Sequence, residues 1–157
     1  MILVDANILL YAENKSDPQH RRALAWWQEQ LSGTGPVCLP WLVISAFIRI
    51  GTSHRVFSRP LSLSEAAHRV SQWLGCPCVR VINPTASHWK TFEHLLIDAK
   101  ATGNLVTDAY LAALAIDHGC ELCSTDSDFA RFPKLKWRNP LIAQSRSMYR
   151  ISLIWHC

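Results

Sequence analysis

The chain opens on a short apolar run, Ile2-Leu3-Val4, that stops at Asp5. An apolar run ended at once by a carboxylate reads as a buried strand finishing at a sheet edge. Asn7–Ala12 then begins a helix. Asp17-Pro18 predicts the start of another, with Asp17 as N-cap and Pro18 at the first helical position, where a missing N–H costs nothing. Ala23, Leu24, Trp27 and Leu31 recur there at helical spacing until Gly33-Thr34-Gly35-Pro36 breaks it. A third helix follows Pro40, with Leu42, Ala46 and Ile50 on one face. Ser62 or Ser64 caps a fourth, which runs through Val70 and Trp73 to Gly75. Val79–Ile82 reads as a strand, and Thr85 opens a long helix to about Ala101. Thr107 is placed as the cap of an Asp108–His118 helix closed by Gly119. Glu121–Thr125 is a further buried strand, and Trp137–Leu141 a last edge strand.

Short apolar strands alternating with helices predict an α/β domain with a mainly parallel sheet. In such sheets ligands sit beyond the carboxyl ends of the strands. Residues 1–141 hold this pattern. Residues 142–157 are left unassigned, since Arg150-Ile151-Ser152-Leu153-Ile154-Trp155 suits an edge strand, a dimer contact or a loose end equally.

At 157 residues, 49% of them hydrophobic and 18% charged, the chain has room for one ordinary domain with a real core. The net charge of +4 suits a polyanionic partner without identifying one. Two basic clusters, Arg49 with His54, Arg55 and Arg59, and Lys134 with Lys136 and Arg138, are as compatible with a solvated face. The N-terminus lacks the basic start of a signal peptide, and no apolar stretch approaches the roughly 20 residues that span a bilayer. The expectation is a soluble cytoplasmic protein with no membrane contact, its six cysteines reduced. Cys76-Pro77-Cys78 and Cys120-Glu121-Leu122-Cys123 lack paired zinc-knuckle spacing, and the second pair follows a helix-ending Gly119, so both read as structural.

Three segments carry acids at strand ends or helix starts: Val4-Asp5-Ala6-Asn7, Val106-Thr107-Asp108-Ala109 and Ser124-Thr125-Asp126-Ser127-Asp128-Phe129. Each acid alone could be a cap or a turn former. Brought to one sheet edge, like-charged pairs about 4–5 Å apart repel by roughly 4 kcal/mol at an effective dielectric of about 20. Such a cluster needs raised pKa values or a bound cation. Oxygen ligands without a His or Cys partner favour Mg²⁺ or Mn²⁺ over zinc. Asp5, Asp108 and Asp126 are therefore the candidate metal-binding and catalytic residues. Asn7, Thr107 and Thr125 are candidates for orienting the carboxylates or a ligated water. This pattern taken alone indicates a metal-dependent hydrolase.

These segments, together with Leu39-Pro40-Trp41 running into Phe47-Ile48-Arg49, Arg55-Val56-Phe57 with Pro60-Leu61, and Gly103-Asn104-Leu105 ahead of Val106, stand in the order found in one family. The chain resembles the PIN-domain nucleases, particularly the VapC-like toxins, over about residues 1–141. The resemblance implies an α/β/α sandwich, a divalent-metal site, ribonuclease activity, and a homodimer silenced by a small antitoxin. It makes Asp5, Asp108 and Asp126 the acidic ligands and Asp128 a supporting acid. One departure is plain: Ala46 stands about where the family carries a glutamate, so the site has lost a ligand. Cleavage of RNA phosphodiesters by a metal-activated water is the function this implies, with Arg49 and Arg55 as candidate phosphate contacts.

The missing glutamate motivates a rival of another class, a catalytically silent module that binds RNA or a partner. A haloacid-dehalogenase-like phosphatase needs a second acid two residues after the first, where Asn7 stands. Dinucleotide binding lacks its Gly-x-Gly-x-x-Gly after the first strand.

Overall fold

The structure is a computed structural model describing residues 1–142, so Arg150–Trp155 lie outside the described residues. Five strands form one sheet: β1 (Ile2–Val4), β2 (Val37–Cys38), β3 (Val79–Arg80), β4 (Glu121–Cys123) and β5 (Trp137–Arg138). Their order is β3-β2-β1-β4-β5, and every pairing is parallel. The expected parallel sheet is present, with β5 at one edge. The strands are shorter than their apolar runs because pairing stops where the chain turns into helices and loops.

Six helices cover the sheet: α1 (Ala6–Glu13), α2 (His20–Ser32), α3 (Trp41–Gly51), α4 (Leu63–Leu74), α5 (His88–Asp98) and α6 (Asn104–Asp117). The chain steps from β1 to β2 to β3 in one direction and returns from β3 to β4 in the other. Right-handed crossovers then put α1–α4 on one face and α5 and α6 on the opposite one. The helix contacts follow that division, with α1 against α2 and α3, α3 against α4, and α5 against α6. This is an α/β/α sandwich.

Leu3, Val4, Val37, Cys38, Leu122 and Cys123 on the central strands are at most 1% exposed. Burying each larger side chain stabilises the fold by about 1.5–3 kcal/mol. Trp73 of α4 meets Phe47 at 4.7 Å and Trp27 at 5.6 Å, both edge-on, and locks α2, α3 and α4 together. Along α6, Leu111 to Ala115 are all buried, the alanines letting its backbone lie close to its neighbours.

Several helix starts differ from expectation. Helix α6 begins at Asn104, so Thr107 lies inside it and does not cap it. The apolar period extends one turn upstream through Leu105, and Gly103, at φ +57°, supplies the left-handed entry. Asp17 closes a tight turn, its Oδ1 accepting from the Gln19 N–H, and regular helix waits until His20. Thr85 turns its hydroxyl towards Asp117 at 3.4 Å and leaves α5 to start at His88. Of the two serines before α4, Ser62 forms the cap, in a reciprocal capping box with Glu65. Cys38, Cys120 and Cys123 pack in the core, and Cys76 and Cys78 are half-buried.

Candidate metal centre at the sheet edge

The strand order reverses between β1 and β4, and at such a switch point the loops leaving the two strands part to form a crevice. Register decides what stands there. Val4 pairs with Cys123, so the next residues, Asp5 and Ser124, emerge side by side at the carboxyl edge. The Asp5 N–H still donates to the Cys123 carbonyl at 3.0 Å, which holds the aspartate at the strand end. One residue on, α1 begins with Asp5 as its N-cap, Oδ1 accepting from the Ala6 N–H at 2.7 Å.

Asp126 and Asp128 follow β4. Asp126 caps a short 3-10 helix, Ser127–Arg131, its Oδ1 accepting from the Asp128 N–H at 2.9 Å. That turn folds Asp128 back beside Asp126. Asp108 comes from the other layer, one turn into α6 rather than at its start, about 6 Å along the axis from Asn104. Carboxylate oxygens of Asp108, Asp126 and Asp128 all lie within 4.8 Å of one another. Asp128, expected as a supporting acid, belongs to this trio. Asp5 stands beside it, near enough for its charge and those of Asp108 and Asp126 to repel.

Ser124, absent from the expected set, organises the crevice. Fully buried, its hydroxyl donates to Asp5 Oδ2 at 2.7 Å and accepts from Asn7 Nδ2 at 2.9 Å and from the Asp126 N–H at 3.0 Å. One side chain thus ties together both acid-bearing strand ends and the expected helper Asn7. Its neighbour in the chain, Thr125, makes no side-chain hydrogen bond to an acid among the described residues, nor does Thr107. Thr107 lines a separate groove with Trp41, Ser45, Phe92 and Tyr110. Arg49 and Arg55 are exposed and form no ion pair among the described residues. Arg49 lies eight residues along α3 from Trp41, about 12 Å from the helix start near the carboxyl edge. Ala46, half-buried on α3, offers no donor atom in place of the absent glutamate.

The electrostatics are those of like charges crowded at one edge. Burial, then repulsion from Asp126, Asp5 and Asp128, raises the Asp108 pKa to about 6. Burial likewise pushes Asp5 up, against the lowering effect of its Ser124 hydrogen bond. Two carboxylates 4.8 Å apart repel by about 3–4 kcal/mol at an effective dielectric of 20. An all-oxygen trio of this kind fits a hard divalent ion. Asn7 Oδ1, buried and without a partner, is a spare acceptor for a bound water.

The repulsion has a signature without metal. Asp108 takes up its proton near pH 6 when folded and near 3.8 when unfolded, so between those values the folded chain holds more protons. Stability therefore falls as pH rises through that window. Asp108 is only part-buried and water screens its charge, which leaves about 1 kcal/mol. In EDTA-treated protein, Asp108→Asn should melt above the parent at pH 7.5, with the gap closing towards pH 4. Equal melting temperatures at pH 7.5 would count against the repulsion.

Comparison with known proteins agrees with this geometry. The PIN domain family profile matches residues 2–135. Ribonuclease VapC37 of Mycobacterium tuberculosis is 40% identical over 140 residues, covering 89% of this chain and 97% of its own. Two solved structures share the fold. The Mycobacterium tuberculosis VapC20 toxin, described as cleaving the sarcin-ricin loop, superposes with a TM-score of 0.64 at 20% identity, covering 88% of this chain and all of its own. A toxin–antitoxin complex from Klebsiella pneumoniae contains a chain with a TM-score of 0.58 at 18% identity, covering 89% and 98%. A parallel sheet that reverses beside Asp5 and Asp126, and a sequence match running almost from end to end of it, lead to one assignment: this chain belongs to the PIN-domain family, on its VapC-like branch.

Proposed function

We propose that the chain is a divalent-metal-dependent endoribonuclease and the toxin half of a toxin–antitoxin pair. The observation that carries this reading is the meeting of Asp108, Asp126 and Asp128 within 4.8 Å at the sheet's switch point. Those three acids, with Asp5 beside them, would hold Mg²⁺ or Mn²⁺. Such an ion supplies charge neutralisation at the phosphodiester and a more acidic water. Asp5 is fixed by Ser124 and by the Ala6 N–H, and so presents its carboxylate without a loss of side-chain freedom at each turnover. Asn7 aligns Ser124, and the Asp128 N–H holds Asp126 in one orientation. Thr107, Thr125, Arg49 and Arg55 have no contact with the acids that assigns them a step. The names of VapC37 and VapC20 support RNA as the substrate.

Two surfaces suit protein partners. Between α1, α2 and α4 runs a groove of about 860 Å³, lined by Leu24, Trp27, Leu31 and Trp73 with Glu13 and Arg69 at its side. It would accept an amphipathic segment of a small antitoxin. Exposed Trp41 and Val106, on the groove shared by α3, α5 and α6, would face a second copy of the chain in a homodimer, which light scattering on the purified protein would reveal. Among the described residues no helix is long and apolar enough to cross a membrane.

Ala46 supports a second reading, a silent module that binds RNA or a partner without cutting. The two separate in one assay. Single-stranded RNA should be cleaved with Mg²⁺ or Mn²⁺ and left intact with EDTA. RNA that is bound but uncut with either ion would favour the silent module.

A further inference from the structure

Two cations that sequence reading passed over, Lys100 and Arg131, meet where the end of α5 approaches the 3-10 helix that follows β4. Arg131 ends the 3-10 helix that Asp126 caps, about 6 Å along its axis from Asp128. Its Nη2 donates to the Ala99 carbonyl at 3.3 Å, reaching the connection that leads into α6 and Asp108. The residue after Ala99 is Lys100. Both side chains are exposed, and neither has a carboxylate within ion-pair distance among the described residues.

Lys100 also occupies a position that its backbone does not favour. At φ +49° it is the non-glycine residue with a left-handed conformation among the described residues. The end of α5 explains why: the Lys100 N–H donates to Ile97 and the Ala101 N–H to Leu96, the paired bonds of a helix terminus that glycine ordinarily closes. The partial negative charge of that terminus attracts one cation weakly at an exposed site. It does not account for a second cation brought alongside from another segment, nor for lysine where glycine relieves the strain. With the Arg131 guanidinium against the carbonyl that precedes Lys100, and neither cation in an ion pair among the described residues, this stretch of surface suits an anion.

We propose that Lys100 and Arg131 form a phosphate-gripping rim that seats the RNA backbone against the acid site. The proposal rests on the ribonuclease reading above. The anion brought to this edge is then the phosphodiester chain, and Lys and Arg are the side chains that position such a backbone without reading its sequence. The rim belongs to the segments that carry Asp108, Asp126 and Asp128, unlike Arg49 and Arg55 further along α3 and beyond it.

The test uses the full chain treated with EDTA, so that nothing is cut, and a short fluorescein-labelled single-stranded RNA followed by anisotropy over a range of salt concentrations. Arg131→Gln and Lys100→Gly should each weaken binding roughly three- to tenfold, and each should flatten the slope of log affinity against log salt by about 0.7. Arg131→Lys should keep the parent slope. Arg21→Gln, exposed on α2 in the opposite helix layer, should leave both quantities unchanged. Lys100→Gly should melt at or above the parent temperature, so that its lost affinity is not lost folding. Unchanged affinity and slope in both rim variants, or equal flattening by Arg21→Gln, would overturn the rim while leaving the ribonuclease reading standing. A parent chain that does not bind RNA would overturn the rim, whereas the ribonuclease reading fails only if RNA stays uncut with Mg²⁺ or Mn²⁺.

Discussion

Asp108→Asn is expected to lower Mg²⁺-dependent RNA cleavage by at least about 100-fold while the protein stays folded. The amide keeps the shape of the carboxylate and removes its charge. That charge belongs to the trio within 4.8 Å, so its loss takes one anionic ligand from a site that already lacks the family's glutamate near Ala46. Losing a group that merely orients a metal ligand costs about 10–100-fold, and losing a ligand itself should cost no less. Initial rates on a single-stranded RNA, with Asp5→Ala measured in parallel, check the expectation. Wild-type rates from either purified variant would mean that the acids do not carry the chemistry.

Ser124→Ala should destabilise the fold and slow cleavage together. Removing the hydroxyl leaves Asp5 Oδ2 without its donor and strands Asn7 Nδ2 and the Asp126 N–H without their acceptor. Leaving a buried polar group unpaired costs about 1–3 kcal/mol, and no water fills a methyl-sized gap well enough to replace three bonds. Asp5 loses the bond that lowers its pKa and becomes harder to ionise. We expect a loss of about 2–3 kcal/mol in denaturant unfolding and a roughly tenfold or larger drop in cleavage, since this residue orients a metal-site carboxylate. Ser124→Thr does not restore the parent if the fully buried site has no space for the added methyl. A Ser124→Ala protein with parental stability and rate would show that the network is incidental.

The contrast between these two residues shows how far the sequence could be read. Asp5 and Asp126 were legible because each ends an apolar run, and in a parallel sheet an acid in that place faces a shared edge. Asp108 was found too, though on the wrong footing: it stands one turn inside α6, because Leu105 continues the buried face upstream of Thr107. Ser124 is different. A serine after a strand is common, and its role depends on Val4 lying opposite Cys123, a register that no local pattern declares. Charge is likewise read along the chain before it is read in space. Arg49 and Arg55 drew notice because they are close in the chain, whereas Lys100 and Arg131, 31 positions apart, are neighbours in space.

The claim beneath all of this is that acids from separate segments share one hard cation, and calorimetric titration of Mn²⁺ into metal-free protein tests it most directly. The parent chain should bind the ion with measurable heat at pH 7.5, and Asp108→Asn should bind it at least about tenfold more weakly. A parent chain that takes up no Mn²⁺, or a variant with the same isotherm, would contradict it.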